Sequence, residues 1–207
     1  MGQPDHIAGI QALVRGRIER AVAVKQELLL DDNYQKLVIQ VAMRITESLN
    51  SGGKVLFCGN GGSAADAQHL AAEFTGRYLK ERRALPAMAL SVNTSSLTAI
   101  GNDYGFDRVF SRQIEALGRP GDVVIGISTS GNSPNVLCGL SAAARLGLRT
   151  VALTGQTGGK VKSAVEYCVC VPSNETPRIQ ECHILIGHII ADIVEDAMFG
   201  ETRDKSQ

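Results

Sequence analysis

His69 and Glu73 stand four residues apart and have the side-chain types for acid–base or metal chemistry. One turn of helix puts both on one face, roughly 6 Å apart along the axis. Just before them runs Gly59-Asn60-Gly61-Gly62-Ser63. A turn of this composition is built from the one residue that takes positive φ cheaply and lets a ligand approach the backbone. It follows the apolar run Val55-Leu56-Phe57-Cys58, which reads as a buried strand, and it leads into a helix for which Ser63 is the expected N-cap. A glycine turn feeding a helix N-terminus is an anion site, because unpaired N–H groups and the positive dipole end point the same way. A phosphate-class site is therefore expected within two turns of an acid–base or metal pair.

A second loop has similar chemistry. Ser128-Thr129-Ser130-Gly131-Asn132-Ser133 offers four hydroxyls and an amide ahead of Pro134, which suits the first turn of a helix. The loop has no lysine, and the GxxxxGK[ST] pattern of nucleotide-binding P-loops is absent. Hydroxyls and backbone N–H groups suit a phosphomonoester, although a Ser/Thr cluster also caps helices for purely structural reasons.

An exposed histidine with a carboxylate one turn away is common on its own. The C-terminal segment gives the pair more weight. Roughly Arg178–Phe199 reads as one apolar helix interrupted by Gln180, His183 and His188. Gln180 and His188 are eight apart, about 80° around the helix, so both are expected to reach one site. Polar side chains among so many apolar neighbours need partners. His69, Glu73, Gln180 and His188 would form a set suited to Zn²⁺ or another borderline divalent ion, or to acid–base chemistry with or without metal. His183, on a different face, reads as structural.

The elements that must position these groups alternate strand and helix. Residues 5–50 read as helical, broken at Asp31-Asp32-Asn33, where Asp32 or Asn33 can cap a second helix ending at Asn50-Ser51-Gly52-Gly53. The first helix reads either as a subunit contact or as simple packing on the domain. Strands are expected at Val55–Cys58, Ala87–Ser91, Val123–Ile127, Thr150–Thr154 and Tyr167–Val171. Helices are expected at Asn93–Ile100, Val109–Leu117, Pro134 to about Leu146, and Lys160–Ser163. Gly101-Asn102-Asp103-Tyr104-Gly105 reads as a loop, and residues 200–207 as a polar tail. This repetition predicts an α/β three-layer sandwich: a parallel sheet with helices on both faces, a single domain over 51–199 and an N-terminal helical extension over 1–50. Ligands of such sheets bind outside the carboxyl ends of the strands, where both polar loops fall.

Composition narrows the classes. The 207 residues are 44% hydrophobic and carry 21 basic and 21 acidic side chains, so no nucleic-acid footprint is expected. No apolar run approaches the ~20 residues of a membrane helix, and the N-terminus lacks the basic and apolar parts of a signal peptide. The myristoylation pattern fails at His6. Five cysteines without a CxxC pair read as buried reduced thiols of a cytoplasmic protein.

Taken together, CGNGGSAADAQHLAAEFTGRY at 58–78, LPAMAL at 85–90, IGNDYGFDRVFSRQIEALGRPGDVVIGISTSGNSPNV at 100–136, VALTGQTGGK at 151–160 and RIQECHILIGH at 178–188 resemble the sugar isomerase (SIS) domain family and, within it, the phosphoheptose isomerases. The resemblance spans nearly the whole chain and weakens before about residue 30. It implies a cytoplasmic homotetramer with active sites at subunit interfaces and no membrane or nucleic-acid partner. It also implies conversion of sedoheptulose 7-phosphate to D-glycero-D-manno-heptose 7-phosphate, toward the nucleotide-heptoses of bacterial surface glycans. By position, Ser63, Ser128, Thr129, Ser130 and Ser133 match phosphate- and substrate-binding residues. Asn60, Gly61, Gly62, Asn102 and Asp103 match substrate contacts. His69, Glu73, Gln180 and His188 match a zinc site, with Glu73 and His188 the acid–base pair. A non-enzymatic relative that binds the replication initiator protein is similar over the sheet but lacks the glutamate and second histidine, both present here. Regulatory sugar-phosphate sensors with the same domain carry a helix-turn-helix module, for which this chain has no room.

Overall fold

The computed structural model describes residues 3–200. In chain order they form α1 (Gln3–Leu30), α2 (Asp32–Asn50), β1 (Val55–Gly59), α3 (Gly62–Thr75), β2 (Ala87–Ala89), α4 (Thr94–Tyr104), α5 (Val109–Leu117), β3 (Val123–Ser128), α6 (Pro134–Arg145), β4 (Arg149–Thr154), β5 (Tyr167–Cys170) and α7 (Thr176–Phe199). Short 3₁₀ turns cover Phe106–Arg108 and Gly159–Ser163. All strand pairings are parallel, in the order β2-β1-β3-β4-β5.

The central strands β1 and β3 are buried along their whole length because both faces of the sheet are covered there. Val55, Phe57, Val123, Ile125, Ile127, Val151 and Leu153 face one core, closed by α2, α3 and α7. Leu56, Cys58, Val124 and Ala152 point the other way, into a core closed by α5 and α6. The expected three-layer α/β sandwich is therefore present. Among the described residues no helix is long and apolar enough to cross a membrane.

Several local expectations change. Asp31, not Asp32 or Asn33, caps α2: its backbone is extended and its carboxylate accepts from the N–H groups of Asn33 and Tyr34 at 2.9 and 3.0 Å. Helix α4 continues through Gly101 to Tyr104 and stops at Gly105, whose φ is +86°, so Asn102 and Asp103 are helical rather than in a loop. Ser63 lies inside α3 and is buried; the N-cap is Gly61, at φ +54°. Of the cysteines only Cys58 and Cys182 are buried, while Cys138, Cys168 and Cys170 are partly exposed; all five are free. Positions 201–207 of the polar tail lie outside the described residues. Along α1, Ile7, Ile10, Leu13, Val14, Ile18 and Val22 form an apolar stripe that this chain leaves open, each at least 46% exposed.

One buried ion pair locks the segment after α3. Arg82 and Glu195, side chains 3% and 2% exposed, meet at 2.9 Å. Glu195 also accepts from the N–H groups of Tyr78 (3.1 Å), Leu79 (2.7 Å) and Lys80 (2.7 Å). Arg82 donates to the carbonyls of Glu73 (2.7 Å), Phe74 (2.9 Å) and Gly76 (2.9 Å), closing the C-terminal end of α3. Burial alone would raise the Glu195 carboxyl; the three N–H groups and Arg82 outweigh it and hold it below its usual range. Removing one partner of a fully hydrogen-bonded buried pair leaves an uncompensated charge, so Glu195→Gln is expected to cost about 3–5 kcal/mol. A shifted urea-unfolding midpoint measures it, and an unchanged midpoint would show that the charge is not needed.

His183 is fully buried on α7, and its Nε2 donates to the Thr154 carbonyl at 3.1 Å while Nδ1 has no partner. Burial pushes its pKa from 6.5 down to about 4, against the upward pull of that bond. The folded protein keeps His183 neutral where the unfolded chain would protonate it. Its contribution is complete above pH 6.5 and is lost as the pH falls toward 4, a change of up to roughly 3 kcal/mol. Unfolding free energies measured across that window should show proton uptake that His183→Gln removes; an equal slope in both proteins would contradict it.

Candidate functional site

Helices α3 and α7 pack side by side. A Cβ on Gly187 would collide with Leu70, and one on Gly62 would collide with the Gln180 amide. This approach brings one residue of α7 against one turn of α3. His69 Nε2 lies 2.9 Å from His188 Nε2 and 3.1 Å from Glu73 Oε1. Tyr78, held by the Glu195 clasp, stacks on the His188 ring at 5.6 Å between centroids, with the rings 29° apart. His69 is exposed, and Glu73 and His188 are half-buried, so the group opens to solvent.

The donor set fits a divalent ion. One ligand atom from each of His69, Glu73 and His188 lies within 4.8 Å of the others. Tetrahedral Zn²⁺ with ligands at about 2.0–2.1 Å holds them about 3.4 Å apart, a few tenths of an ångström from the two spacings made by His69. Two imidazoles and a carboxylate are also the nitrogen and oxygen donors that such ions take.

The second half of the site lies at the carboxyl edge of the sheet. The connection after β1 runs outward to β2 and the one after β3 outward to β4, so the topological switch point falls between β1 and β3. The glycine turn and the hydroxyl loop follow these two strands. A reciprocal pair of amide bonds joins them: Asn60 Nδ2 donates to Asn135 Oδ1 and Asn135 Nδ2 to Asn60 Oδ1, both at 2.8 Å. Neither α3 nor α6 has a cap from its N-cap side chain, but most opening N–H groups are already used: those of Ser63 and Ala64 donate to the Asn60 and Gly61 carbonyls, Pro134 has none, and that of Val136 donates to Asn135 Oδ1, which leaves those of Gly62 and Asn135 for an anion. Ser128 Oγ and Ser133 Oγ are 2.9 Å apart, and the Ser130 hydroxyl accepts from Asn132 N at 3.1 Å. Thr129 and Ser130 line a cleft of about 270 Å³ whose other walls include Gly155, Ser173 and Ile179.

Not every residue singled out from sequence joins these groups. Gln180 lies over Gly62, eight residues or about 12 Å along α7 from His188. Asn102 and Asp103 sit exposed at the end of α4, which packs chiefly on α5 and the neighbouring 3₁₀ turn, and the Asn102 amide donates to Asp103 at 2.8 Å. Ser63 is buried against the strand end, where a Cβ on Gly59 would meet it. Sequence reasoning passed over Asn135, Gly187, Tyr78 and the Arg82–Glu195 pair. The GNSPN run placed Asn135 in the first turn after the loop, but its partner across the sheet is visible only in three dimensions.

Residues 20–155 match the SIS domain family model. A phosphoheptose isomerase of Rhodospirillum rubrum is 59% identical over 161 residues, covering 78% of this chain and 86% of the relative. The structure of phosphoheptose isomerase GmhA from Neisseria gonorrhoeae superposes with a TM-score of 0.83 at 46% identity, over 90% of this chain and 99% of that one. A phosphoheptose isomerase from Francisella tularensis gives a TM-score of 0.84 at 35% identity, over 95% and 100%. The chain belongs to the phosphoheptose isomerases of the SIS domain family.

Proposed function

We propose that this sugar-phosphate isomerase interconverts the ketose sedoheptulose 7-phosphate and the aldose D-glycero-D-manno-heptose 7-phosphate, supplying nucleotide-heptose synthesis for bacterial surface glycans. The observation that carries the reading is the meeting of Glu73 with His69 and His188 on helices that begin beside two uncapped anion-binding turns. The N–H groups of Gly62 and Asn135, with Ser63, Ser128, Thr129, Ser130 and Ser133, hold the phosphate end. Asn60, Gly61 and Gly62 line the path toward the carboxylate, and Asn102 and Asp103 contact substrate from another side.

Isomerisation removes a proton from C1 and returns one to C2, while a second proton moves between the two oxygens. Glu73 takes the carbon-bound proton, leaving an enediol, and gives it back at C2. His188 carries the proton between O1 and O2, its ring orientation fixed by the stack on Tyr78. His69, Glu73 and His188 would hold a divalent ion such as Zn²⁺, which would supply polarisation of the sugar oxygens. Glu73 has two carboxylate oxygens, so one can face the cation side while the other handles the proton.

Gln180 belongs to the proposed ligand set, and with its own His188 about 12 Å away along the helix it would have to leave Gly62 and reach the site of a neighbouring chain. Assembly as a homotetramer is part of the proposal, supported by the open apolar stripe of α1. A cytoplasmic location follows from the sugar-phosphate substrate.

Incubation with sedoheptulose 7-phosphate in D₂O, followed by NMR, should show the aldose with deuterium at C2. Glu73→Gln should keep the fold and lose about 10²–10⁴-fold in kcat, the range of general acid–base contributions. Retained turnover would remove Glu73 from the base role. Dialysis against a chelator should abolish activity and added Zn²⁺ restore it, and His69→Ala should bind less Zn²⁺ by elemental analysis. Full activity in metal-free protein would end the metal assignment.

A further inference from the structure

Cys168 and Cys170 lie two apart on β5, the edge strand beyond β4, and their side chains share one face. Their Sγ atoms are 3.6 Å apart. The hydroxyl of Thr154, the β4 residue paired across from Cys170, donates to Cys170 Sγ at 3.4 Å and lies 3.7 Å from Cys168 Sγ. Both thiols are partly open to solvent. The mechanism above does not use this cluster.

We propose that Cys168 and Cys170 form a peroxide-reactive dithiol, with Cys170 the attacking thiolate and Cys168 the resolving thiol. The geometry assigns the roles. A negative charge on Cys170 can draw the Cys168 S–H and the Thr154 O–H, which the Gly155 carbonyl at 3.2 Å also attracts, and Lys162 of the adjoining 3₁₀ turn adds a positive field. The same contacts lower the Cys170 thiol and raise Cys168, because the proton between them stays on Cys168. Thiolate character and access decide which cysteines oxidise first. Cys58, with both faces of its strand covered, is the opposite case: burial pushes its pKa up to about 12.

The oxidant is a hydroperoxide. The Cys170 thiolate attacks one peroxide oxygen, the O–O bond breaks, and the departing hydroxide is protonated to water. Cys170, oxidised by two electrons, becomes the sulfenic acid. Cys168 sulfur then attacks Cys170 sulfur, the S–O bond breaks, and hydroxide leaves with the Cys168 proton as a second water. Two thiols and one hydrogen peroxide become one disulfide and two waters. Two residues of extended strand span about 6.6 Å, near the upper end of the Cα spacing that a disulfide bridges, and their Cβ atoms must close from a similar separation to about 4 Å. The strand must bow to close the bond, and β5 can do so because it is paired on one side only.

Both cysteines fall in one tryptic peptide, residues 163–178, which contains no other cysteine. The reduced full-length protein is treated with a small molar excess of hydrogen peroxide, alkylated after denaturation, digested and weighed. The expected result is loss of two hydrogens from that peptide, reversed by dithiothreitol, while Cys58, Cys138 and Cys182 stay alkylatable. With dimedone present, Cys168→Ser should give an adduct on Cys170, and Cys170→Ser should leave Cys168 unlabelled. A 163–178 peptide that stays reduced while Cys138 oxidises would overturn the proposal, as would dimedone labelling of Cys168 in Cys170→Ser. The wild-type mapping needs no variant to fold, and none of these readouts depends on isomerase turnover.

Discussion

The close approach of α3 and α7 is the constraint on which the rest of the structure depends. Leu70 fills the space that a Gly187 side chain would need, and the Gln180 amide fills the space above Gly62. Two glycines thus set the helix separation at two points along the same contact. Only at that separation does an imidazole of one helix come within 2.9 Å of an imidazole of the other. A methyl group at Gly62 would displace the Gln180 amide, and one at Gly187 would displace the Leu70 methyls. The Arg82–Glu195 clasp acts on the same pair of helices. It ties the carbonyl end of α3, Glu73 included, to α7, and its hold on Tyr78 N leaves that ring against His188.

The sheet supplies the other half of the arrangement. With β1 and β3 adjacent and the connections diverging from them, two loops and two helix N-termini meet at one edge without any long-range design of the chain path. The Asn60–Asn135 amide pair fixes the two loops relative to one another. The Glu73 carboxylate lies three turns down α3 from that edge.

Much of this was legible in the sequence, and the reasons differ by element. The five strands were clear because a sheet covered on both faces needs continuous apolar runs bounded by turn residues. His69 and Glu73 were legible because their relation is local, one turn of one helix. Asn102 and Asp103 were misplaced because Gly101-Asn102-Asp103 has turn composition, yet α4 keeps its hydrogen-bonded path until Gly105 supplies the positive φ that ends it. Ser63 has the right type for a cap, but Gly61 takes that position with a backbone that a side-chain cap does not need. Asn135 and Gly187 were illegible because each matters only through a residue of a different segment: Asn60 on the neighbouring loop, Leu70 on the facing helix.

Gln180 shows where local periodicity stops being a guide. Eight residues bring a side chain back to within 80° of the same face, but they also advance it about 12 Å along the axis. Opposite ligands of one small cation are only about 4 Å apart. In this chain the Gln180 amide is already in place over Gly62, about 10 Å along α3 from His69. Within one chain, therefore, His69, Glu73 and His188 meet and Gln180 stays apart from them.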